Sequence, residues 1–199
     1  MYIQIAVFLF KRECNACADC KSGKINEKIN MEEKLPVVDE VGNVIGSASR
    51  KDCHSGLKIL HPVVHLHVFD KSGRLFLQLR SPKKLIQPNK WDTSVGGHVD
   101  FGETVEQALR REAFEEIGLS VKSEKHLFSY IFESSIEKEL VNAFSAIAEE
   151  NEIKIEPQEI SEGRFFSFEE IENMIGKNLL TPNFEMEFEK LKEAIRNKQ

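Results

Sequence analysis

Residues 62–70 read PVVHLHVFD, a β-branched and aromatic run, and after Lys71-Ser72-Gly73 the chain resumes as RLFLQLR. In the second run Leu75, Leu77 and Leu79 alternate with Phe76, Gln78 and Arg80. A period of two marks a strand, so the pair predicts a hairpin. HLFSYIFE and LVNAFSAIAE predict two further strands around Ser134 to Lys138. From Met31, MEEKLPVVDEVGNVIGSAS predicts two short strands about a turn at Gly42-Asn43. SPKKLIQPNK carries two prolines and predicts a loop.

The period changes after residue 104. Thr104-x-x-Gln107 has the capping-box pattern, Val105, Ala108, Leu109 and Ala113 recur at helical spacing, and Gly118 stops the run. Ser167-x-x-Glu170 predicts a second, short helix that Gly176 closes. Phe184, Phe188, Leu191 and Ile195 mark one face of a final amphipathic helix. The expected class is α/β in the mixed, α+β sense: a sheet with helices packed on it. The element order is too mixed for a doubly wound parallel fold.

Composition narrows the partners. The 199 residues are 41% hydrophobic and 30% charged, which fits one soluble globular domain with some extra length. No apolar run approaches the roughly 18 residues of a membrane span. A formal net charge of −6 argues against non-specific nucleic-acid binding, and no basic groove suited to RNA is apparent. The expected partner is a small molecule, with no nucleic acid and no membrane, in a cytoplasmic setting; a homodimer stays open.

Residues 1–30 differ from the remainder and are taken as an N-terminal extension to a domain spanning 31–199. MYIQIAVFLF lacks a basic flank, and no small-residue cleavage pattern follows it, so it is not read as a signal peptide. Cys14, Cys17 and Cys20 are spaced as part of a zinc or iron–sulfur site, for which Cys53 or His54 would have to supply a fourth ligand. Three free thiols are the expectation, and nothing resembles a secreted disulfide framework.

The chemistry concentrates in REAFEEIG, residues 111–118. On a helix Glu112, Glu115 and Glu116 fall at i, i+3 and i+4, on one face. Like charges there each cost a few tenths of a kcal/mol, about 0.2–0.5. The face also lies on the last two turns, where the macrodipole is already negative. A divalent cation on the face removes both penalties, and clustered hard carboxylates suit magnesium or manganese.

With its surroundings this stretch resembles the Nudix box, G-x5-E-x7-R-E-U-x-E-E-x-G-U, where U is apolar. Gly97, Glu103, Arg111, Glu112, Glu115, Glu116 and Gly118 match, with Ala113 and Leu119 at the apolar positions, and the broader resemblance covers roughly residues 35–195. It implies an α/β/α sandwich with a mixed sheet and a loop–helix–loop catalytic box. It also implies metal-dependent hydrolysis of a nucleoside diphosphate derivative or related diphosphate. By position, Glu112, Glu115 and Glu116 would hold the metal, and Glu112 would also orient or deprotonate water. Arg111 would orient the carboxylates, while Gly97 and Glu103 belong to the substrate-binding loop that Glu103 braces.

KWDTSVGGHVDFGET and the spacing from His61 to His98 resemble the isopentenyl-diphosphate isomerase branch. That isomerase reads Ser-Val-Cys-Gly-His with a catalytic cysteine, where this chain has Gly96. Two of its metal-binding histidines match His61 and His98, and its Glu-x-Glu pair matches Glu137-Lys138-Glu139. Its own box departs from the consensus, whereas this one is intact, so hydrolysis is favoured. Glu139 is a candidate catalytic carboxylate across the cleft from the box. His98 is read as a tolerant loop position, and His65 and His67 as satisfied interior residues. Trp91 is expected to pack beneath the loop before the box, with base stacking as the alternative. A nucleotide-sensing module without catalysis is the second class kept open; loss of box carboxylates would favour it, and none is lost.

Overall fold

The computed structural model of the chain describes residues 33–197. The cysteine trio and the apolar N-terminal run lie outside the described residues.

Strands β1 (Lys34–Val38) and β2 (Val44–Ser49) pair antiparallel as a separate hairpin. Its turn is built by Asp39, whose carboxylate accepts from the backbone N–H of Val41 and Asn43. Gly42 supplies the left-handed conformation the turn needs, at φ 90°. A one-turn helix, α1 (Arg50–Cys53), follows directly, capped by the Ser49 side chain and ending on His54.

The main sheet is mixed. β3 (Leu60–Phe69) runs down its middle, antiparallel to β4 (Leu75–Arg80), as the hairpin pattern predicts. β4 also pairs antiparallel with β5 (Trp91–Asp92), and β3 pairs antiparallel with β6 (Val95–His98). After α2 (Val105–Ile117), β7 (Lys125–Glu133) returns antiparallel to β8 (Lys138–Ile147), which lies parallel to β3. β9 (Ile160–Phe166) joins the far side of β4, and α3 (Phe168–Glu172) and α4 (Pro182–Arg196) complete the described chain.

Alternation along the strands makes the layers. Val64, Leu66 and Val68 face one side and pack with Ala108, Leu109, Ala113 and Ile117 of α2. Leu75, Leu77 and Phe166 face the other and pack with Phe184, Phe188 and Leu191 of α4, with Ile195 at the margin. The expected α/β/α sandwich with a mixed sheet is the observed one. No helix among the described residues is long and apolar enough to cross a membrane.

The pattern did not announce α1, β5, β6 or β9. Val-Gly-Gly-His in β6 and the Gly163 region of β9 are weak strand formers held by tertiary pairing. Gly163 is required there because a Cβ would lie 2.3 Å from the ring of Phe76. The short helix after Ser167 ends at Glu172, not at Gly176. The chain leaves it through successive i to i+3 turns, among them Met174 N–H to Ile171 and Lys177 N–H to Met174, and Gly176 sits in that segment at φ 71°.

Candidate active site

α2 presents the box. Thr104 and Gln107 form the capping box at its start, and Gly118 ends it in the left-handed conformation at φ 63°. Arg111 organises the acidic side chains from its middle. Its Nε and Nη2 donate to the two oxygens of Glu103 at 3.0 and 2.8 Å, and Nη2 also reaches the His98 carbonyl at 3.0 Å. Nη1 donates to Glu112 at 2.7 Å and to Glu115 at 3.3 Å. One guanidinium thus ties the loop to two of the three box carboxylates.

Gly97 has a steric reason. A Cβ there would fall 2.0 Å from Cδ of Glu112, so only glycine lets that carboxylate lie against β6. Glu116 is buried at 7% exposure and accepts from the Gln78 side chain at 3.0 Å and the Gly96 N–H at 3.4 Å. Burial, then the charge of Glu112, pushes its pKa up to about 7. Burial raises Glu112 as well, against the pull of Arg111. Lys84, from the loop after β4, draws Glu116 back toward ionisation. Glu115 is the exposed member, its side chain 58% accessible.

A second group lies on the opposite face of β6. His54, His61, His98 and Glu139 place one ligand atom each within 4.8 Å of one another. Glu139 is thereby brought to three histidines, alongside His61 in the β3–β8 register, and is only 9% exposed. Burial and the neighbouring Glu137 push its pKa up to about 7, while His65 opposes them. His61 Nδ1 donates to the Ile59 carbonyl at 3.0 Å, which leaves the Nε2 lone pair free, buried and without a hydrogen-bond partner. His54 and His98 face each other through their Nε2 atoms at 3.0 Å. Burial lowers the pKa of all three rings, so they stand as neutral donors. An orphaned buried lone pair among neutral imidazoles and a carboxylate fits a divalent cation. The donor set is softer than the box's carboxylates.

Most expected residues come together here. Gly97, Glu103, Arg111, Glu112, Glu115 and Glu116 form the box, and Glu139 forms the other group. His98 corrects the expectation of a tolerant loop position: it belongs to the histidine group, because Gly96 and His98 point to the same face of β6. The cysteine spacing offers His54 only as a fourth ligand for the N-terminal trio; α1 delivers it instead to His61 and His98, from which its sequence spacing makes no motif. Cys53 is buried and free. Trp91 packs edge-on against Phe166 at 4.8 Å, within the core on the α4 side.

Comparison with known proteins agrees. The NUDIX domain family matches residues 59–184, and the chain belongs to that family. It is 30% identical to an uncharacterized Nudix hydrolase of Streptomyces coelicolor over 154 residues, 76% of this chain and 84% of that one. It is 33% identical to an isopentenyl-diphosphate Delta-isomerase of Brevibacterium linens over 152 residues, 72% of this chain and 81% of that one. A crystal structure of the Deinococcus radiodurans protein DR0079 is similar with a TM-score of 0.65 and 30% identity, covering 74% of this chain and 91% of that one.

Proposed function

We propose that the chain is a divalent-metal-dependent hydrolase that cleaves a diphosphate linkage in a nucleoside diphosphate derivative or a related small diphosphate. One observation carries this: Glu112, partly buried, and Glu116, buried, share one helix face with Glu115, while a single guanidinium, that of Arg111, is divided among Glu103, Glu112, Glu115 and the His98 carbonyl. Such a face is short of positive charge. Magnesium or manganese is the ion expected at these oxygen donors, and a softer divalent ion at the histidine group. A cation at the box supplies neutralisation of the diphosphate and acidifies water.

The chain's own groups do the rest. Arg111 holds Glu112 and Glu115 in register, and Gly97 lets Glu112 approach the backbone. Glu112, with its raised pKa, is suited to accept the proton of an attacking water. The water oxygen bonds to phosphorus as the bridging P–O bond breaks, and the leaving phosphate carries away that electron pair.

A second reading, isomerisation of a small alkenyl diphosphate, is favoured by the complete His54–His61–His98–Glu139 group, since His61 and His98 match the isomerase's metal-binding histidines. Against it stand the intact box and Gly96, which brings no thiol. The test is a panel of nucleoside triphosphates, nucleotide sugars, dinucleoside polyphosphates and isopentenyl diphosphate, incubated with the full chain and followed by 31P NMR for loss of the diphosphate linkage. Cleavage with magnesium or manganese and none with chelator is expected. An intact linkage across the panel, or cleavage that ignores the chelator, overturns the proposal.

A further inference from the structure

Gly96 and Gly97 are neighbours in β6 and face opposite ways. On the box side the missing side chain of Gly97 admits Glu112. On the other side, an ideal Cβ at Gly96 would lie 3.4 Å from Cδ2 and 3.5 Å from Nε2 of His65. His65 is 9% exposed, and its ring is tethered at the back. Nδ1 donates to Oε2 of Glu187 at 2.5 Å. Glu187, fully buried in α4, also accepts from His67 Nε2 at 2.7 Å and from the Tyr130 hydroxyl at 2.7 Å.

This tether fixes which nitrogen is left over. With Nδ1–H committed to Glu187, Nε2 is the other edge of the ring, 3.5 Å from where a Cβ of residue 96 would lie. The network also sets its charge. Burial alone would make the ring neutral, but the Glu187 carboxylate outweighs it and raises the pKa to about 9. The ring of His65, 9% exposed, therefore turns its Nε2 edge toward the methyl-sized space that residue 96 leaves unfilled. The backbone N–H of the same residue points at Glu116 on the box side.

We propose that His65 is a substrate-contacting residue, whose Nε2–H donates a hydrogen bond, in the space left by Gly96, to a phosphoryl oxygen of the bound diphosphate. This rests on the diphosphate-hydrolase reading. The diphosphate then spans β6, one end at the box carboxylates and the other at a fixed imidazolium. A charged N–H···O contact of this kind supports binding strongly where water is excluded. Glu187, His67 and Tyr130 act through His65 as positioning residues, and Gly96 is the aperture.

The experiment uses methylenediphosphonate with magnesium as a non-hydrolysable probe of the full chain. Binding is followed by calorimetry, and the histidine ring nitrogens by long-range 15N NMR. The His65 resonances are expected to move on binding while those of His67 stay nearly still. His65→Leu should weaken binding about tenfold or more. Gly96→Ala, whose Cβ makes only ordinary contact with His65 and so leaves the fold intact, should weaken binding comparably and abolish the His65 shift. A probe that binds and perturbs Gly97 while His65 stays silent and His65→Leu binds normally overturns the inference and leaves the hydrolase reading standing. A His65 response to a phosphate-free nucleoside instead also overturns it. No binding of diphosphate with magnesium at all takes both down.

Discussion

Three buried glutamates occupy comparable environments and behave oppositely. Glu187 is fully buried, yet its pKa is held far below the usual carboxylate range. Glu116 and Glu139 are 7% and 9% exposed, and theirs are pushed up to about 7. Burial is common to all three, so it does not distinguish them. Partners do: Glu187 receives hydrogen bonds from His65, His67 and Tyr130, whereas Glu116 and Glu139 have other carboxylates close by and little cationic charge. A buried acid already neutralised by the fold is structural. A buried acid left without its counter-charge is a place for a cation from outside.

The sharpest way to break this comparison is to remove the carboxylates one at a time. Glu115→Gln and Glu116→Gln should each lower hydrolysis about a hundredfold while the fold survives, measured by kcat with saturating magnesium and by circular dichroism. Full activity of both variants would remove the box from the account. Glu187→Gln should do the reverse. It strips the partner from a buried cation and should cost about 3 kcal/mol of stability in urea unfolding. Glu116→Gln, which removes an unpaired charge, should leave the metal-free protein as stable as before or more so.

Gly163→Ala is expected to cost about 1–3 kcal/mol, because the new Cβ meets the Phe76 ring at 2.3 Å. Thermal unfolding of that variant checks a packing constraint unrelated to cations. A smaller effect separates the two kinds of acid by pH. For Glu116 and Glu139 the folded pKa, about 7, exceeds the ordinary 4.5, so their contribution is full below about 4.5 and lost as pH rises through about 7. For Glu187 the folded value is depressed, so its contribution is present above about 4.5 and lost as pH falls. The metal-free chain should therefore lose melting temperature between pH 4.5 and 7, and saturating magnesium or manganese should flatten that loss. Equal slopes with and without metal would mean that the acids on both sides are alike.

Periodicity carried the sandwich because alternate residues of its strands enter the two packed layers and each long helix buries one stripe. Leu75 and Leu77 against Phe76, and Phe184, Phe188 and Leu191 at helical spacing, read correctly for that reason. The box was legible because its residues lie within 23 positions, on one helix and the loop before it. The histidine group was only half legible. His61, His98 and Glu139 are far apart in the chain, and His54 arrives on a single-turn helix that no periodicity marks. Glu187 hid in plain view: it sits on the inward face of α4, between Phe184 and Phe188, where an acid implies a buried partner. Pairing it with His65 required the fold, since 122 residues separate them.

The central claim is that the cation-ready carboxylates serve water attack on a diphosphate. The most direct measurement is 31P NMR of the full chain with magnesium in 18O-enriched water, offered the best substrate of the panel and, separately, isopentenyl diphosphate. The expected result is cleavage of the diphosphate linkage with one 18O entering a single phosphate product, abolished by chelator and slowed about a hundredfold by Glu116→Gln. Conversion of isopentenyl to dimethylallyl diphosphate with no label entering phosphate would contradict it, and would make the unmodified chain an isomerase despite Gly96.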